Sequence, residues 1–90
     1  MTQRQLPRPF AMPWGSGEIT EEVVLVRDHW EPTIQLMEYS DGGRAVRFCF
    51  YSNGRFNRSP LILDERDTED LRVAINDAPT IKRILGQLVD

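Results

Sequence analysis

The sequence predicts an α+β domain in which a four-stranded antiparallel β-meander is followed by one or two C-terminal helices. Three observations carry this. Segments rich in β-branched and aromatic residues alternate with glycine-marked turns between Glu18 and Leu63. The hydrophobic period then changes after Asp64. Finally, Ile81, Ile84, Leu85, Leu88 and Val89 form an i, i+3, i+4, i+7, i+8 stripe suited to a helix with one buried face.

Residues 1–17 read as a flexible Pro/Gly-rich arm, and 18–90 as the single domain. The arm holds Pro7, Pro9 and Pro13 with Gly15 and Gly17, and it shows no period of either kind. Phe10, Met12 and Trp14 alternate within it, and either pack on the domain or dock on a partner. Val23-Val24-Leu25-Val26 suits a first strand in 18–27, ended by Glu31-Pro32. A second strand spans 33–39, and the turn Asp41-Gly42-Gly43 follows. The strongest strand spans 44–51, with Val46, Phe48 and Phe50 on one face. Asn53-Gly54 is a hairpin signal. The fourth strand, 55–63, contains Pro60, which marks it as an edge or bent strand. Asp64 caps a helix whose first turns hold Glu65, Asp67, Glu69 and Asp70, where the helix dipole favours negative charge. Asp77-Ala78-Pro79 is a break and restart.

Turn arithmetic assigns the faces. A two-residue Asn53-Gly54 loop pairs Ser52 with Arg55, Tyr51 with Phe56, Phe48 with Ser59 and Val46 with Leu61. A three-residue loop 41–43, with Gly43 left-handed, pairs Ser40 with Arg44. Side chains alternate across a strand. One face then collects Ile34, Leu36, Val46, Phe48, Phe50, Leu61 and Leu63, which the helices should cover. The other collects Gln35, Met37, Tyr39, Arg47, Cys49, Tyr51, Phe56, Arg58 and Ile62.

Aromatic rings interleaved with arginines are what single-stranded nucleic acid needs. Bases stack on rings at about 1–3 kcal/mol each, and the cations meet phosphates. Tyr39, Arg47, Tyr51, Arg55, Phe56 and Arg58 are therefore the candidate binding residues. The competing reading is that this face is covered by the arm or by a second subunit, since aromatic residues favour strands whatever their function.

The order of elements also resembles the positive cofactor four family of single-stranded-DNA-binding transcriptional coactivators. The resemblance is carried by Ile34-Gln35-Leu36-Met37-Glu38-Tyr39, by Gly54-Arg55-Phe56-Asn57-Arg58-Ser59-Pro60-Leu61-Ile62-Leu63, and by the acidic helix start with Leu71 and Ile75. It implies a dimer that binds single strands across the sheet, with Arg47, Arg55, Phe56 and Arg58 on the nucleic-acid face, and so a transcription-linked accessory factor.

Composition narrows the alternatives. Ninety residues make one domain, short enough that dimerisation is expected. A net charge of −3 argues against a dedicated duplex-DNA binder. Cys49 is the single cysteine, which rules out an intramolecular disulfide and a cysteine-based zinc site. Asp28, His29 and Glu31 lie close in sequence, but Asp28 and His29 point to opposite faces of an extended segment. No oxyanion or base-orienting motif accompanies Cys49 and His29. The expectation is a non-enzymatic binding protein with no catalytic residues, metal, cofactor or small-molecule substrate. No apolar run reaches membrane-spanning length and no leader is evident, so the expected compartment is cytoplasmic. A protein–protein module with no nucleic-acid role is the alternative.

Overall fold

The computed structural model describes residues 5–56 and 60–89. Six strands form one antiparallel sheet: β1 (Arg8–Met12), β2 (Gly15–Val24), β3 (Glu31–Tyr39), β4 (Arg44–Ser52), β5 (Arg55–Phe56) and β6 (Leu61–Asp64). The strand order is β1-β2-β3-β4-β5, with β6 also paired to β4. A 3-10 turn (Glu65–Asp67) leads into helices α1 (Thr68–Ile75) and α2 (Pro79–Val89). The class is α+β with a curled antiparallel sheet and two C-terminal helices. Among the described residues no helix is long and apolar enough to cross a membrane.

The N-terminal stretch expected as a flexible arm instead forms β1 and the start of β2. Phe10 pairs with Gly17 and Met12 with Gly15. The alternation of Arg8, Phe10 and Met12 sends all three inward, which supplies the apolar reason for this segment to order. Pro9 is tolerated because β1 is an edge strand.

The turns differ in detail from expectation. Tyr39 N–H donates to Gly43 at 2.8 Å, and Gly42, not Gly43, is left-handed with φ of 95°. Glu38 therefore pairs with Arg44. Beyond the Asn53-Gly54 turn, where both residues have positive φ, Tyr51 pairs with Phe56 as expected. Farther along, Phe48 pairs with Leu61 and Val46 with Leu63, not with Ser59 and Leu61. Both departures are shifts of two residues, so every side chain stays on its expected face.

Helix α2 stands beside the aliphatic face, where the helices were expected, but the core forms on the other side of the sheet. The aromatic/arginine face is the inside. Phe10, Ile19, Met37, Ala45 and Tyr51 are its buried apolar residues, joined by buried Thr33, Gln35 and Arg47. Two features roll the sheet over this face. A register shift between Ile19 and Glu21 marks a bulge at Thr20 in β2, and bulges increase local twist. Strands β1 and β4 would lie roughly 14 Å apart in a flat sheet, three spacings of about 4.8 Å. Yet Arg47 Nη1 reaches Met12 Sδ at 3.7 Å. The β1–β2 hairpin therefore closes the concave side that the sequence left open. Gly17 permits the approach, since a Cβ there would lie 2.0 Å from the Glu38 carbonyl oxygen.

Candidate functional site

The expected nucleic-acid residues separate into a buried group and a rim. Arg47 is only 5% exposed and Tyr51 only 9%. Arg47 Nε donates to Gln35 Oε1 at 2.7 Å, and its guanidinium carbon sits 4.6 Å from the centre of the Phe56 ring. Gln35 Nε2 in turn donates to Glu22 Oε2 at 2.7 Å and to the Tyr51 hydroxyl at 3.1 Å. Tyr39 is half-buried, with the Phe10 ring edge-on at 5.1 Å. Arg55 and Phe56 stay exposed on the outermost short strand. Arg58 lies outside the described residues. The expected open platform is thus largely an internal hydrogen-bonded layer, because buried polar groups need partners and these strands supply them to one another.

Arg8 and Glu22 are the members of this layer that sequence reasoning missed. Arg8 Nη1 and Nη2 grip the Glu22 carboxylate at 3.2 and 2.7 Å. That bond raises the Arg8 pKa further above its ordinary value, against the opposing effect of burial. The signal available in the sequence was the alternation Arg8, Phe10, Met12, which continues outward from the tail residues already singled out. Glu22 carried a weaker signal, because the bulge at Thr20 shifts the alternation along β2.

The convex face is aliphatic and open. Val23, Leu25, Ile34, Phe48 and Leu61 are exposed on it. The helices do not seal it: neither α1 nor α2 has a buried residue, and Ile81, Ile84, Leu85 and Leu88 remain exposed. Between α2 and the sheet lies an apolar cleft of about 580 Å³, walled by Val23, Ile34, Phe48 and Phe50 on one side and by Leu85 and Leu88 on the other.

Charged groups gather at the opposite end. Arg44 binds Glu65 through two hydrogen bonds, at 3.1 and 2.6 Å, and this holds the Glu65 carboxyl below its ordinary range. The Arg66 side chain, then its backbone N–H, lowers Asp64 in the same way. Among the described residues no three His, Cys, Asp or Glu side chains converge as a metal site would require.

Compared with known proteins, the chain matches no family model, no curated sequence and no solved structure.

Proposed function

We propose that the chain is a protein–protein interaction module that works as a homodimer, with the convex sheet face and α2 as the shared surface. The observation that carries this reading is the surface left uncovered. The chain exposes 7006 Å². A folded monomer of 10.4 kDa would expose roughly 5,400 Å². The excess of about 1,600 Å² falls in the range that one protomer of an obligate dimer buries. The radius of gyration, 14.2 Å, likewise exceeds the roughly 12 Å of a compact domain of this length. A second copy suits the surface because the stripe that walls the cleft with Leu85 and Leu88 continues beyond it into exposed Ile81 and Ile84. A two-fold pairing lets the stripe of each copy enter the cleft of the other.

Size-exclusion chromatography with light scattering tests this. The expected mass is twice that of the chain, and Leu88→Glu should return the monomer. A wild-type chain that stays monomeric at about 100 μM, far above the Kd of an interface this large, would overturn the reading.

A second reading, single-stranded nucleic acid, is favoured by one observation: Phe56 is 37% exposed beside exposed Arg55, with the Arg47 guanidinium against its ring. On this reading Tyr39, Arg47 and Tyr51 support the rim from beneath. The resemblance to the positive cofactor four family rests on the sequence pattern alone. Titration with a labelled single-stranded oligonucleotide should show affinity that falls as salt rises. Unchanged affinity in Arg55→Gln/Phe56→Leu would remove the rim from the site.

A further inference from the structure

We propose that the cleft between Trp14 and the start of the helical region is a binding site for an aliphatic cation, meaning an alkylammonium carried by a polyamine or by a lysine side chain. The proposal is independent of the homodimer reading and of the nucleic-acid reading.

The cleft measures about 620 Å³. Its wall is aromatic. Trp14 is 62% exposed, yet it is not loose: its indole N–H donates to the Tyr39 hydroxyl at 3.1 Å. Tyr39 is held in turn by the Phe10 ring, packed edge-on at 90°. A ring in a fixed position with its surface open to solvent is an attractive site for a cation, more so for Trp than for Tyr or Phe. The floor is apolar, with Ala45 and Ile62, and suits a hydrocarbon stem.

The rim is acidic. Asp41, Asp64 and Asp67 line the cleft together with one cation, Arg66. Arg66 is already committed, since its Nε and Nη2 donate to Asp64 at 3.0 and 3.1 Å. Asp41 Oδ1 accepts from the Gly43 N–H at 2.9 Å, a turn contact that fixes the carboxylate without neutralising it. Among the described residues neither Asp41 nor Asp67 has a cation within ion-pair distance. The cleft therefore gathers three carboxylates against one guanidinium, Arg66, which feels the charge of Asp67 and Asp41 as well as its bonded partner Asp64, and it adds a hydrogen-bonded indole and an apolar floor. An anion would be repelled, and a compact metal ion would leave the ring and floor unused. A cation on a hydrocarbon chain uses all three.

The test reads Trp14 emission in a Trp30→Phe background, which leaves one tryptophan and keeps a ring against Phe50. The probes are spermidine, a blocked peptide carrying three lysines, and triacetylspermidine as the uncharged counterpart. A saturable emission change with spermidine or the peptide is expected, weakened about tenfold or more in Asp41→Asn/Asp67→Asn. A response to spermidine alone identifies free polyamines as the source of the cation. A response to the peptide alone identifies protein lysines. No saturable response to either, an equal response to triacetylspermidine, or unchanged affinity in a folded double variant overturns the proposal. If the double variant does not fold, the wild-type comparison of spermidine with its triacetyl derivative decides.

Discussion

Arg47 donates its Nε–H to Gln35 Oε1 at 2.7 Å inside the curl of the sheet, and its other contacts among the described residues, Met12 Sδ and the Phe56 ring, are also neutral. The buried charge thus depends on an amide for its best acceptor. Gln35→Leu takes that acceptor away, together with the Gln35 N–H bonds to Glu22 and Tyr51, and should cost at least about 1.5–3 kcal/mol. Arg47→Met removes the charge with its desolvation burden and should cost less. Urea denaturation at matched protein concentration ranks the two, and the reverse order would show that Arg47 is not the costly group to strand.

Gly17→Ala tests the closure of the β1–β2 hairpin. The added methyl would meet the Glu38 carbonyl and the Tyr39 backbone, neither of which can swing aside as a side chain can. Overpacking of this kind typically costs about 1–3 kcal/mol, and backbone contacts put this site at the upper end. A thermal midpoint within a degree of wild type would mean that the hairpin does not approach β3 so closely.

A homodimer that stabilises its protomers also predicts a thermal midpoint that rises with protein concentration, because unfolding is coupled to dissociation. Scanning calorimetry across a hundredfold concentration range should show the rise in wild type and lose it in Leu88→Glu. A concentration-independent wild-type midpoint would contradict coupled assembly.

The Arg44–Glu65 pair sets a pH dependence whose sign follows from linkage. The Glu65 pKa is lowered in the folded chain, chiefly by its bonds to Arg44. Its contribution is complete above the ordinary glutamate range and is lost as pH falls through the lowered folded value. The pair is exposed, so the effect on stability is small and screened by salt. Carbon-detected NMR titration reads it directly: Arg44→Gln should move the Glu65 midpoint upward toward an ordinary glutamate. No movement would remove Arg44 as the cause.

The two faces of the sheet were legible because alternation survives even shifts of register. Ile34 opposite Phe48 and Gln35 opposite Arg47 keep the expected sides although the first turn and the β4–β6 pairing are each displaced by two residues. Which side becomes the interior was not legible. Hydropathy favours burying Val46 and Phe48. The outcome instead turns on a bulge at Thr20 and on a hairpin from a segment dense in proline. Gln35, Glu22, Arg8 and Tyr51 satisfy one another only once the sheet has rolled, so no local pattern announces them. The helix stripe of α2 was legible as apolar, but its own sheet leaves it exposed.

Pro9, set in the outermost strand β1, has a last consequence. Lacking an N–H, it has no donor to offer an incoming strand, and Pro7 and Pro13 flank it. On the far side of the sheet the described strands are the two-residue β5 and the four-residue β6. A chain with this much open apolar surface would be an aggregation hazard if a long strand edge accompanied it. Among the described residues neither margin offers a long template for end-to-end growth, which under the homodimer reading favours a closed pair over a fibre.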